Sequence, residues 1–114
     1  MELWNYRPDV YDRSQPLDLA GYHVHAADGK IGTVDEATYE LDESYLVVDT
    51  GPWIFGKKVM LPASTITRIE PTEREVYVAR TKEEIKDSPE YDEKAVKEPE
   101  YRTKLTDYYG RYSI

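Results

Sequence analysis

The chain has 114 residues with no cysteine and two histidines, which is enough for one domain, rules out disulfides and disfavours a zinc site. Its formal net charge of −8 disfavours direct nucleic-acid binding, since that binding depends on lysine and arginine neutralising phosphates. No apolar run is long enough to span a membrane and no signal peptide is recognisable, so we expect a cytoplasmic protein without membrane insertion.

Residues 1–16 predict an extended N-terminal arm. Pro8 and Pro16 prevent a regular helix through the segment, and Trp4 and Tyr6 stand among polar residues. Aromatic side chains bury large areas, and an extended segment cannot bury them against itself. The arm therefore docks either on its own domain or on a second subunit, and the sequence leaves both alternatives open.

The first predicted strand places its histidines outward. Tyr22, Val24 and Ala26 alternate with His23 and His25, so an inward apolar set puts both imidazoles on the outer face. The pair Asp28-Gly29 follows, and it predicts a type I′ turn that closes a hairpin.

The second predicted strand runs from Lys30 to about Leu41, and its parity is broken. Ala37, Tyr39 and Leu41 share the face of Ile31, whereas Val34 falls on the other. A β-bulge near Gly32 allows Ile31 and Val34 to point inward together.

The stretch from Tyr45 to Ala63 predicts the central hairpin. Tyr45–Val48 and Val59–Leu61 are two short apolar runs typical of core strands. The glycine-bounded connection between them carries three large apolar residues, although loop tips are normally polar: Trp53, Ile54 and Phe55. This tip either covers an open barrel end or contacts another protein.

Further strands are predicted around Ile66 to Ile69 and from Glu75 to Ala79. The chain then has about six short strands at close spacing, which is typical of a small barrel or sandwich. Thr81 followed by Glu84 predicts a capping box at the start of a short helix.

Residues 92–114 form a charged, tyrosine-rich extension. Within it a helical stripe is predicted, with Pro99 near the first turn and Gly110 near the end: Tyr101, Leu105, Tyr108 and Tyr112. We expect a short amphipathic helix that docks on its own domain or binds a partner.

An acidic stretch between Asp28 and Asp49 holds seven carboxylates and one lysine. We interpret it as a solvated sheet face, with a basic partner or a loosely bound divalent cation as the alternatives.

His23 and His25 are spaced to share a metal ion, but further ligands must come from elsewhere; the alternative is two exposed or partner-facing histidines. No serine lies in a nucleophile motif. We therefore expect neither an enzyme nor a cofactor.

Four motifs follow one another along the chain: Leu19-Ala20-Gly21-Tyr22-x-Val24, Asp28-Gly29-Lys30-Ile31-Gly32-Thr33-Val34, Tyr45-Leu46-Val47-Val48-Asp49 and Gly56-Lys57-Lys58-Val59-Met60-Leu61-Pro62. Together they resemble the PRC-barrel family, which includes a domain of the photosynthetic reaction centre H subunit and the C-terminal domain of the ribosome-maturation factor RimM. The resemblance covers about residues 17–91. It implies an all-β, six-stranded barrel that acts as a protein-interaction adaptor without catalytic residues.

We therefore expect a non-catalytic adaptor that forms a homo-oligomer, a dimer, through aromatic surface. The expected contact residues are Trp53, Ile54, Phe55, Trp4, Tyr6, Tyr101, Leu105 and Tyr108. Two alternatives stay open: a ribosome- or RNA-linked maturation factor acting through a protein contact, and a small-ligand or metal-binding module using His23 and His25.

Overall fold

The computed structural model describes residues 3–11, 14, 16–51, 58–91, 94 and 98–111. Six strands form one sheet: β1 (His23–Ala26), β2 (Gly29–Ala37), β3 (Tyr45–Asp49), β4 (Lys58–Pro62), β5 (Ile66–Glu70) and β6 (Glu75–Val78). Two helices follow, α1 (Lys82–Lys86) and α2 (Pro99–Gly110). The strand order is β4-β3-β2-β1-β6-β5, and the sheet is mixed because β1 and β6 run parallel while the other pairs are antiparallel.

The expected six strands and β-rich fold are thus confirmed, and the sheet is open. Among the described residues, the end strands β4 and β5 share no hydrogen-bonded ladder. They are joined along the chain by a single 3₁₀ turn, Ala63–Thr65, whose three residues are all buried. The end of β4 and the start of β5 therefore meet at one buried corner.

The β-bulge expected near Gly32 is confirmed. Val24 pairs with Gly32 and His25 pairs with Lys30, so Ile31 is the extra residue on β2. Ile31 is 1% exposed and Val34 is 3% exposed, which shows that the bulge turns both inward.

Gly32 also allows a close approach of two backbones. A Cβ built on Gly32 would lie 2.0 Å from the carbonyl oxygen of Asp49 on β3. Only glycine avoids this overlap, so the residue type at this position is fixed by the packing of β2 on β3.

The prediction of a type I′ turn at Asp28-Gly29 is wrong. Gly29 already pairs with Ala26 as the first residue of β2, so the turn residues are Ala27 and Asp28. Asp28 does not have the positive φ that a type I′ turn requires. Its carboxylate instead accepts a hydrogen bond from the Lys82 backbone N–H at 2.8 Å, which ties the turn to the start of α1.

The second strand is shorter than expected, and Leu41 does not share the inward face. β2 ends at Ala37, and Leu41 is 67% exposed. The chain turns here because the Ser44 hydroxyl and the Glu43 N–H donate to the Glu40 carbonyl, and Asp42 adopts a positive φ of 64°.

The capping box of α1 is confirmed. The Thr81 hydroxyl oxygen accepts from the Glu84 N–H at 3.2 Å, and the Glu84 carboxylate accepts from the Thr81 N–H at 2.8 Å. Ile85 is fully buried, so α1 is anchored on the core by one aliphatic side chain.

The arm and α2 belong to the same hydrophobic core as the sheet. Trp4 and Tyr6 of the arm and Tyr101 and Leu105 of α2 are buried within it. The Trp4 indole N–H donates to the Thr106 hydroxyl at 2.9 Å, which joins the arm directly to α2. Whether residues 17–91 fold as a separate domain stays a prediction.

None of the helices in the described part of the chain is long and apolar enough to cross a bilayer.

Candidate functional site

An open groove lies between the β2–β3 connection and the first half of α2. Its volume of about 1080 Å³ is at the upper end of the range for ligand-binding pockets. Eight residues line it: Thr38, Tyr39, Glu40, Glu43, Tyr45, Pro99, Arg102 and Thr103. We name this feature the β2–α2 groove.

The first wall of the groove is a tightly bonded loop. The Thr38 hydroxyl donates to the Glu43 carbonyl at 2.8 Å and accepts from the Tyr45 N–H at 3.0 Å. These bonds and the turn at Glu40 fix the loop from within, and the Asp42 N–H donates to the Asn5 side chain of the arm at 2.8 Å. The carboxylates of Glu40 and Glu43 are left exposed on the surface of this wall.

The floor of the groove is aromatic. Tyr45 is half-buried, and its ring meets the Trp4 ring edge-on at 6.4 Å between centroids. Tyr39 stacks on the rings of Tyr6 and Tyr11, at 5.8 Å and 5.6 Å between centroids. Because these rings are held by one another, the floor is positioned before any ligand arrives.

Arg102 forms the second wall and ties it to the first. Its guanidinium carbon lies 4.2 Å from the Trp4 ring centroid, which is cation–π geometry. The same guanidinium donates to the Asp42 backbone carbonyl at 3.1 Å. Arg102 therefore links α2 to the arm and to the β2–β3 connection.

Burial shifts the pKa of both tyrosines of the groove. Burial raises the pKa of the Tyr45 phenol, and the negative charges of Glu36 and Glu43 raise this pKa further, against the opposing effect of Arg102. Burial likewise raises the pKa of Tyr39, although the hydrogen bond from the Leu19 N–H lowers it. The pKa of each phenol is therefore raised, with burial as the main cause, so each stays neutral to a higher pH than a free tyrosine.

A second polar cluster occupies the outer face of β1, β5 and β6. His25 Nε2 lies 3.2 Å from a Glu75 carboxylate oxygen, and the Tyr77 hydroxyl donates to the other oxygen at 2.8 Å. The Tyr77 ring stacks on His25 at 4.9 Å, and the Arg68 guanidinium lies 5.2 Å from the same ring. The hydrogen bonds from Tyr77 and then His25 lower the pKa of Glu75.

The expected outward placement of His23 and His25 is confirmed, because Val24 and Ala26 between and after them are buried. His25 is engaged with Glu75. In the part of the chain that the structure describes, no group of three or more histidine, aspartate or glutamate side chains is arranged to hold a metal ion.

The residues expected to form an aromatic contact surface have different positions. Trp53, Ile54 and Phe55 lie outside the described residues. Four of the other expected residues are buried in their own chain: Trp4, Tyr6, Tyr101 and Leu105. The sequence left open whether the arm and the helix dock on their own domain or on a partner, and docking on their own domain is what is observed. Tyr108 is half-buried, and its hydroxyl donates to the Glu84 carbonyl.

Sequence reasoning did not find the groove itself. Its two walls come from residues 38–45 and 99–103, and no motif marks segments so far apart as neighbours. The one available signal was the acidic stretch between Asp28 and Asp49, for which a basic partner was an alternative interpretation.

No protein-family model matches this chain, and a search of curated proteins finds no match either.

Proposed function

We propose that the chain is a non-catalytic, cytoplasmic adaptor of the PRC-barrel type that binds another protein in the β2–α2 groove. The observation that carries this proposal is the groove, a concave surface lined by tyrosines and charged side chains. Tyrosine and arginine are the residue types that contribute most to binding at protein interfaces.

The rigidity of the groove supports this function. Its floor is held by the Trp4–Tyr45 contact, and its walls are joined by the Arg102 hydrogen bond to Asp42. A preformed surface loses little conformational entropy on binding, so more of the contact energy is available for affinity.

We also propose that the sheet forms a barrel and that the chain forms a dimer. The turn at Ala63–Thr65 that joins the end strands β4 and β5 is buried, which supports a barrel in which both strands cover one core. We propose that Trp53, Ile54 and Phe55 provide the self-association surface. Replacing Trp53 and Phe55 by serine should then reduce the sedimentation coefficient of the oligomer, and an unchanged coefficient would contradict this part.

Site-specific photo-crosslinking tests the groove directly. A diazirine-bearing residue is introduced singly at Thr103 on one wall, at Glu40 on the other, and at the exposed Thr72 of the β5–β6 turn as a control. Each full-length variant is irradiated in lysate from the source cells. We expect the same protein adduct from Thr103 and Glu40 and none from Thr72.

Two outcomes would contradict a protein-binding groove. Adducts that are identical at all three positions indicate contact unrelated to the groove. Absence of any adduct at Thr103 and Glu40, in variants that keep the wild-type melting temperature, indicates that no protein occupies the groove.

A further inference from the structure

We propose that the occupant of the β2–α2 groove is a basic, arginine-containing segment of the partner protein. This inference rests on the proposed function, and it adds the chemistry by which the partner is recognised. Three features carry it: the exposed carboxylates of the groove, its tyrosine rings, and an exposed leucine that follows Glu40 in the sequence.

The lining of the groove carries more carboxylates than cations, since Glu40 and Glu43 stand against Arg102 alone among its eight residues. Some acidic side chains elsewhere in the described part of the chain form ion pairs with basic side chains: Asp35 with Lys58 at 2.8 Å, Glu70 with Arg68 at 2.5 Å and Glu84 with Arg80 at 3.7 Å. Glu40 and Glu43 are exposed and belong to no ion pair of this kind in the described part of the chain. A cationic segment is the complementary ligand.

The chain itself shows how a guanidinium packs next to the groove. Arg102 places its planar group 4.2 Å from the Trp4 ring centroid while donating to the Asp42 carbonyl. Tyr39 and Tyr45 offer further aromatic surface beside the Glu40 and Glu43 carboxylates. Guanidinium stacks on aromatic rings and bonds carboxylates in a fork, so arginine fits this lining better than the strongly hydrated ammonium of lysine.

Leu41, next to the lining residue Glu40 in the sequence, offers an apolar contact. Leu41 is 67% exposed between the lining residues Glu40 and Glu43, and it is the one large apolar residue so exposed in the described part of the chain. A segment that alternates arginine with an aliphatic residue can place cations against the carboxylates and an apolar side chain against Leu41. At about 1080 Å³ the groove exceeds what one arginine side chain fills, which favours a peptide over a free amine.

Fluorescence anisotropy with synthetic nine-residue peptides tests the inference. The probes are a labelled Gly-Arg-Leu-Arg-Gly-Arg-Leu-Arg-Gly peptide, its lysine counterpart and its glutamate counterpart, each added to the full chain. We expect saturable binding of the arginine peptide, weaker binding of the lysine peptide and no binding of the glutamate peptide. Binding of the arginine peptide should weaken as salt is raised from 50 to 300 mM.

The matched variants separate the groove from net charge. Glu40→Gln with Glu43→Gln removes two groove carboxylates, and Glu73→Gln with Glu83→Gln removes two exposed carboxylates outside it. We expect the Glu40→Gln, Glu43→Gln variant to bind the arginine peptide about fivefold more weakly, because exposed ion pairs contribute modestly. The Glu73→Gln, Glu83→Gln variant should bind it as the wild type does.

Equal weakening by both pairs would overturn the inference, because it would show attraction to the net negative charge alone. Absence of binding by the arginine peptide, or equal binding of the glutamate peptide, would also overturn it. If crosslinking through Thr103 and Glu40 still captures one protein in that case, the proposed function survives and only the chemistry of the partner is wrong.

Discussion

The guanidinium of Arg102 lies over the Trp4 ring, with 4.2 Å between the guanidinium carbon and the ring centroid. The two residues come from opposite ends of the chain, and the Trp4 indole N–H also donates to Thr106 on the same helix. The arm and α2 are thereby fixed to each other as well as to the sheet. The second wall of the β2–α2 groove depends on this contact.

Arg102→Ala should therefore weaken the contact between the arm and α2. The change removes a cation–π contact and a hydrogen bond to the Asp42 carbonyl, and we expect a loss of about 1 to 2 kcal/mol in the free energy of unfolding. Urea denaturation followed by tryptophan fluorescence measures it. Arg111→Ala is the matched control, because Arg111 also lies over an aromatic ring, 5.0 Å from that of Tyr108, but is exposed. The control should lose less than about 0.5 kcal/mol in the free energy of unfolding.

Gly32→Ala should severely destabilise the fold. The added methyl group would lie 2.0 Å from the Asp49 carbonyl oxygen, so β2 and β3 must separate, at a cost of about 3 kcal/mol or more. Thermal unfolding by circular dichroism measures the effect. In Gly110→Ala, the new Cβ meets nothing within 4 Å at the end of α2, and we expect a slight gain in stability. Equal melting temperatures for the two variants would contradict the packing described for Gly32.

The Glu75 cluster predicts a loss of stability in acid. The pKa of Glu75 is lowered in the folded chain by Tyr77 and His25, so on acidification the unfolded chain binds this proton first. The contribution is fully present above the ordinary carboxyl pKa of 4.5 and is lost as pH falls through the lowered folded pKa. The difference in melting temperature between the wild type and Glu75→Gln should therefore shrink below about pH 4. A difference that stays constant from pH 6 to pH 3 would show that Glu75 is not stabilised in its charged form.

Tyr39 predicts the opposite dependence in alkali. Burial raises its pKa above the ordinary 10.0, so the unfolded chain releases the phenol proton first as pH rises. Stability is then complete below pH 10 and is lost as pH rises through the folded pKa. Tyr39→Phe should be less stable at pH 7 by about 1 kcal/mol, because the Leu19 N–H loses its acceptor.

The gap between wild type and Tyr39→Phe should narrow above pH 10, since the variant has no phenol to titrate at this position. Guanidinium denaturation at pH 7, 9 and 10.5 measures the gap. A gap that widens with pH would mean that the folded chain ionises Tyr39 more readily than the unfolded chain does.

Features set by neighbouring residues could be predicted from the sequence. The bulge at Gly32 follows from the parity of Ile31 and Val34, and the capping box follows from the spacing of Thr81 and Glu84. In each case the residues that determine the structure lie within a few positions of one another.

Features set by distant contacts could not be predicted. Asp28 was expected to form a type I′ turn, but its carboxylate bonds the N–H of Lys82 on α1. The stripe expected on α2 places Tyr108 inward, but Tyr109 is the more buried of the two, at 2% exposed, while Tyr108 is half-buried and Tyr112 lies outside the described residues. The groove depends on the same kind of contact, since Arg102 reaches Asp42 across 60 positions of sequence.

The most direct test of the binding site is a competition experiment. The chain with a diazirine at Thr103 is irradiated in lysate while the unlabelled arginine peptide is raised from zero to saturation, with the glutamate peptide as the control. If the groove binds a basic segment of the partner, the adduct at Thr103 should decline with the arginine peptide and persist with the glutamate peptide. An adduct whose yield is unchanged at saturating arginine peptide would show that the partner does not bind the groove through a basic segment.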